Sequence, residues 1–249
     1  MRLFQFAASA TAAAILTAGA AKADIVLFDN ITAFETGAAG AQGTTTGSTP
    51  NTFMGGGYEL LTGATQITGF DLFPVNITGT NFTNIKVTVY VWDNVNTSGT
   101  VNATTPAFSN LLGSFTFTRT DDFSTGFFYP IENADPSLPG FALPTPIDIT
   151  DGTIGLTFNV QGSTDGVNYA NINALTSLIT LGVPATVGAN VFNGYYRNAA
   201  GETDGNFTSA LRSLGLTNQS VAVRVYGVPT PGAASLLGLG GLMTLRRRR

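Results

Sequence analysis

The sequence predicts an all-β protein: a single antiparallel β-sandwich, jelly-roll-like, flanked by an apolar helix at each end of the chain. Three observations predict it. Apolar residues recur with period two through the middle of the chain. The stretches between them are rich in Gly, Thr, Asn, Asp and Pro, residues that make turns. Between Asp24 and Gly227 no segment shows a sustained helical period.

The strands are read in order. Ile25 to Phe28 opens the domain, and Ile67 to Phe73 follows. Ile85-Lys86-Val87-Thr88-Val89-Tyr90-Val91-Trp92 alternates strictly, with Ile and Val on the odd positions and Lys, Thr, Tyr and Trp on the even ones. Phe115 to Thr118 repeats the pattern briefly, and Phe127 to Ile131 is a further candidate. Ile154 to Val160 alternates with its apolar residues on even positions. Val191 to Arg197 and Val221 to Tyr226 complete the set. Each reads as a half-buried strand, with one face in a core and the other toward water. Asn173 to Leu181 fits one or two helical turns or a strand. Thr36 to Tyr58 and Val95 to Thr105 read as long loops, rich in Gly and Thr and in Asn and Thr respectively.

Composition narrows the function classes. The chain has 249 residues, 43% hydrophobic and only 10% charged, with 30 glycines. Cysteine and histidine are both absent. Ser-His-Asp and Cys-His nucleophiles, zinc fingers, His-ligated metals and disulfides are thereby excluded. The net charge is −4 and the pI about 4.6, which argues against a nucleic-acid partner.

The two ends read as transport signals. In residues 1–23 Arg2 precedes an apolar run that closes on Ala21-Lys22-Ala23, the small-x-small pattern of a secretory cleavage site. Signal peptidase would cut after Ala23 and leave Asp24 first. At the other end, Val228-Pro229-Thr230-Pro231-Gly232 is followed by uncharged residues 233–245 and then by Arg246-Arg247-Arg248-Arg249. A helix of that uncharged length spans about 20 Å, short of a ~30 Å hydrocarbon core, so it suits transient membrane insertion. Each arginine costs about 2.5–3.5 kcal/mol at a helix centre, which holds the cluster on the cytoplasmic side. The domains expected are therefore 1–23, 24–227 and 228–249. The middle one keeps five basic and fifteen acidic residues, a net charge of −10.

The tail resembles the PEP-CTERM sorting signal of bacterial exported proteins: a Pro-Glu-Pro motif, a short Gly/Leu-rich helix and a terminal arginine cluster. Pro229, Pro231, Gly232 and Arg246 to Arg249 carry the resemblance, and Thr230 stands where the family usually has Glu. The segments Ile67 to Phe70, Tyr90 to Asn94 and Val221 to Gly227 also look like strands of ectodomains that bear this tail. The resemblance implies processing by an exosortase-like membrane peptidase. It also implies a place at the cell envelope, outer surface or extracellular matrix, and a link to exopolysaccharide or biofilm.

Three kinds of site are weighed within the domain. Tyr90 and Trp92 share the polar face of one strand, with Tyr195 and Tyr196 elsewhere. Such rings form either a glycan-stacking platform or cross-strand aromatic pairs. Asp148, Asp151 and Asp204 lie in Asp- and Asn-rich segments that offer calcium ligands or make turns. Asp121-Asp122 and Glu202/Asp204 are nominal carboxylate pairs for a glycoside hydrolase, but adjacent acids on a strand face opposite ways. Lys86 lies on a regular strand and not in a nucleophile turn. The expectation is a non-enzymatic structural or interaction protein without a cofactor, structural calcium aside. The alternative is a carbohydrate-binding or adhesive module.

Overall fold

The computed structural model describes residues 24–32, 40–41, 53–76, 78–97, 106–125, 131–132, 140–171, 175–177, 179–181, 184–198, 207–209, 211, 218 and 220–229. All the regular elements it describes are strands. They are β1 (Ile25–Asp29), β2 (Gly40–Ala41), β3 (Met54–Glu59), β4 (Ala64–Leu72), β5 (Pro74–Asn76), β6 (Phe82–Val95), β7 (Phe108–Phe123) and β8 (Phe141–Asp148). There follow β9 (Thr153–Ser163), β10 (Ala170–Asn171), β11 (Leu175–Ser177), β12 (Ile179–Leu181), β13 (Ala189–Asn190), β14 (Tyr196–Arg197), β15 (Ser220–Val221) and β16 (Val223–Pro229). No helix among the described residues is long and apolar enough to cross a membrane. The expected leader helix and the tail helix over 233–245 lie outside the described residues.

Two antiparallel sheets carry the eight strands of five or more residues. The first has the order β1-β16-β4-β8 and the second β13-β3-β9-β6-β7, with β10 added to β9 and β14 to β3. Two small sheets, β11-β5 and β15-β12-β2, complete the pairing. Ranked along the chain, the eight long strands run 1-8-3-6 in one sheet and 2-7-4-5 in the other. Most successive long strands therefore cross from one sheet to the other.

Alternation decides which face is inside. Ile85, Val87, Val89 and Val91 of β6, Ile154, Leu156, Phe158 and Val160 of β9, and Val223 and Val225 of β16 fall in a single buried cluster. In β4 the apolar phase changes from Ile67 to Phe70 and Leu72. A register shift between Ile67 and Gly69 absorbs the change, so all three reach the same core.

Asn173 to Leu181, expected as helical turns or a strand, contributes two short strands, β11 and β12. Other elements depart from the expectation. The stretch read as a glycine-rich loop contains β3, whose Met54-Gly55-Gly56-Gly57 is depleted of strand-favouring side chains. Its glycines answer a packing need: a Cβ on Gly55 would collide with the Leu156 carbonyl, and one on Gly57 would reach Val95 at 2.6 Å. Strand β8 contains Pro144 and Pro146, which fall between its pairs with β4 at Ala142 and Ile147 on an edge strand, where a missing N–H breaks no ladder bond. Finally, β16 runs through Val228 and Pro229, opposite Gln66 and Ala64, two residues past the expected end of the domain.

Candidate functional site

The even positions of β6 lie on the outer face of the second sheet, and this face has two halves. At one end the aromatics form a second core. Trp92 stacks on Phe108 with centroids 6.2 Å apart and on Tyr90 at 6.1 Å. Phe207 packs over them, 4.8 Å from Phe53, 5.5 Å from Tyr90 and 5.7 Å from both Trp92 and Tyr196. Gly155, paired with Trp92, leaves room for the Phe108 ring, since any Cβ there would strike it. The Trp92 indole N–H donates to Thr157 Oγ1 at 3.1 Å.

Of the two arrangements expected for these rings, glycan platform or packed aromatic pairs, the second is the one found. Trp92 is 6% exposed and Tyr196 0% exposed, in the same cluster, while Tyr195 at 4% joins the main core. Only Tyr90 is half-buried. Tyr196 and Phe207 pack against these rings and leave Trp92 and Phe108 buried. Alternation states which side of a strand a residue takes, not what later covers that side.

The other half of the face is polar. Across β9, β6 and β7 it sets Gln161, Lys86 and Thr118 in one row, and Asn159, Thr88 and Thr116 in the next. The Thr88 and Thr116 hydroxyls lie 3.3 Å apart, and Lys86 Nζ stands 5.1 Å from the centre of the Tyr169 ring.

The two described calcium candidates, Asp148 and Asp151, are each engaged by a protein group. Asp148 accepts from Gln66 Nε2 at 2.7 Å, and Asp151 accepts the Thr153 backbone N–H at 2.9 Å, which is turn chemistry. Asp204 lies outside the described residues, as do Glu202, Ala21, Ala23, Thr230, Pro231, Gly232 and Arg246 to Arg249. Among the described residues no three acids, His or Cys gather as metal ligands. Asp122 is exposed at the end of β7.

The structure assembles an ionic cluster that the sequence did not reveal. On the outer face of the first sheet, Arg224 reaches Asp29 Oδ2 at 3.2 Å, Asp71 Oδ2 at 3.1 Å and Glu132 Oε1 at 2.9 Å. Tyr226 donates to Asp71 Oδ2 at 2.6 Å and the Gly140 N–H to Asp71 Oδ1 at 2.6 Å. Asp71 is 1% exposed. Burial pushes its carboxyl above the ordinary 3.8, against the opposing pull of Tyr226, Gly140 and Arg224. The Tyr226 hydroxyl is pushed up by burial and by the adjacent Asp71. The guanidinium occupies the place a cation would take, so the cluster reads as structural.

A cavity of about 370 Å³ opens beside β13. Its wall combines apolar Pro184 and Ala185 with the amides of Asn190, Asn193 and Asn218. The Asn190 side-chain oxygen is buried without a hydrogen-bond partner among the described residues. Amides both donate and accept, and an apolar floor beside them suits a compact polyhydroxylated ligand. Nothing in the sequence marked these residues, because Asn is abundant throughout the loops.

No family profile, curated protein or solved structure matches the chain.

Proposed function

We propose that the chain is an exported, non-enzymatic protein of a bacterial surface or extracellular matrix, a jelly-roll β-sandwich delivered by its two ends. The strand order 1-8-3-6 over 2-7-4-5 supports the jelly roll, since two interleaved Greek keys rolled into facing sheets give that order. Signal peptidase removes residues 1–23. The segment 233–245 holds the chain transiently in the inner membrane, with Arg246 to Arg249 on the cytoplasmic side. An exosortase-like peptidase then reads the Val228-Pro229-Thr230-Pro231-Gly232 motif, as the resemblance to PEP-CTERM proteins implies. The released domain associates with exopolysaccharide or biofilm matrix.

The observation that carries the reading is the course of β16. It is held between β1 and β4 and runs directly into the tail, and the Val228 carbonyl accepts from the Thr65 hydroxyl at 3.2 Å. Any pull on the tail is thus transmitted to the centre of a sheet. The test is fractionation of the native chain beside a variant with all four of Arg246, Arg247, Arg248 and Arg249 changed to Gln. A shortened native chain outside the cytoplasm, with altered processing of the variant, is the expected result. Native full-length chain free in the cytosol would refute it.

A second reading, a carbohydrate-binding or adhesive module, is favoured by the amide-lined cavity and the polar sheet face and not by Trp92, Tyr195 or Tyr196. Titration of the full chain with neutral monosaccharides, and loss of binding in Asn190→Leu, is its test; no heat or shift with any sugar counts against it. A two-carboxylate hydrolase has the least support: of its nominal acids Asp122 is exposed at the end of β7, and Glu202 and Asp204 lie outside the described residues.

A further inference from the structure

The sheet edges are unequal. Strand β8 is closed to further pairing by Pro144 and Pro146. Strand β1 has five residues, and its outer groups are taken: the Leu61 N–H bonds the Leu27 carbonyl at 2.7 Å, and the Asp29 N–H bonds the Val187 carbonyl at 3.0 Å. Strand β3 is covered by β13 and β14. Strand β7 is the exception. It has 16 residues, contains no proline, and no described strand pairs with its far side. A long open edge is a template for another strand.

We propose that β7 pairs with β7 of a second copy, antiparallel about a two-fold axis at Thr116, joining the second sheets of two molecules. The strand is self-complementary in that register. Regular pairing of β7 with β6 extends from Gly113 to Thr120, so this stretch is straight enough to continue the sheet. With Thr116 opposite itself, Ser114 faces Thr118, a hydroxyl pair on the exposed side. Phe115 faces Phe117 on the core side, where both rings are only half-buried and pack against the core margin. Arg119 then faces Gly113, so no like charges meet. Aromatic and hydroxyl cross-strand pairs stabilise such a contact, on top of the new backbone ladder. A second copy satisfies this pattern by symmetry, and the contact closes on itself instead of growing a fibre. It also leaves the two amide-lined cavities at opposite ends of one continuous sheet, a bivalent arrangement for a repeating polymer.

The chain has no cysteine, so introduced thiols report without background. Thr116→Cys in the full chain should give a disulfide-linked dimer on mild oxidation. Thr88→Cys, one strand inward on the same face, should not, because three strand spacings put its copies roughly 14 Å apart. A mixture of Ser114→Cys and Thr118→Cys chains should form the mixed dimer in preference to either homodimer. Thr116→Cys that stays a single chain, with one-copy mass by light scattering, would overturn the proposal, as would equal crosslinking through Thr88. Preferential homodimers in the mixture would overturn the Thr116 axis. None of these results depends on export or on sugar binding.

Discussion

Replacing Arg224 with methionine keeps much of the side-chain volume and removes the only described cation within reach of three carboxylates. The side chains of Arg224, Asp29 and Asp71 are 11%, 8% and 1% exposed, so water cannot replace the lost partner at the two aspartates. Breaking a buried pair from one side costs about 3–5 kcal/mol, against about 5–15 kcal/mol for a whole domain. In a domain of this size the melting midpoint should fall by about 6–20 °C. The pH dependence follows from Asp71. Its folded pKa lies above the ordinary 3.8, so the native state holds that proton more tightly than the unfolded chain. The stability this contributes is full below the ordinary value and is lost as pH rises through the raised one. Without Arg224 the pKa rises further, so the deficit of the variant should be largest near neutrality and shrink on acidification. Asp71→Asn in the same background should recover part of the loss. Thermal melts followed by near-ultraviolet circular dichroism over a pH series measure all of this. A deficit below about 1 kcal/mol at every pH would mean a solvated cluster and refute the reasoning.

Other consequences are as direct. Trp92 is the only tryptophan, so native fluorescence should be blue-shifted and poorly quenched by acrylamide; red-shifted, readily quenched emission would contradict the buried cluster. Trp92→Ala should cost about 3–5 kcal/mol in denaturant unfolding, as for other buried aromatics. Gly55→Ala should block folding or lower the melting point severely, because its Cβ meets the Leu156 carbonyl, while Gly79→Ala, facing open space, should leave it unchanged. The Asp165 carboxylate accepts the N–H groups of Asn168 and Val167, the Asn168 amide and the Ser163 hydroxyl, which hold its pKa well below the ordinary value. Its contribution is present above the ordinary carboxylate range and lost as pH falls, opposite in sign to that of Asp71. Carboxyl titration by NMR should show the two shifted in opposite directions.

The core of the fold was legible because alternation is a direct image of burial. Val87, Val89, Val223 and Val225 point where their period places them, and the partner faces of β6 and β9 were both read correctly. The strands that escaped notice break the usual chemistry for local reasons. The glycines of β3 are there for close backbone approach, and the prolines of β8 are admitted by its edge position. The candidate site was less legible. Trp92 was read on the polar face of its strand, and contacts from Phe207, more than a hundred residues away, turn that face into a core. Asp71 and Arg224 lie 153 residues apart, and no local pattern announces their pairing. The amides of Asn190, Asn193 and Asn218 stand out only once the cavity between them exists.

The claim on which the functional account rests is delivery of the domain across a membrane with removal of the ends that guide it. Intact-mass spectrometry of the chain recovered from the surface and medium of expressing cells tests it most directly. The account predicts a species that begins at Asp24 and lacks Arg246 to Arg249. A single species retaining Met1 and all four arginines, recovered from the cytosol, would contradict it.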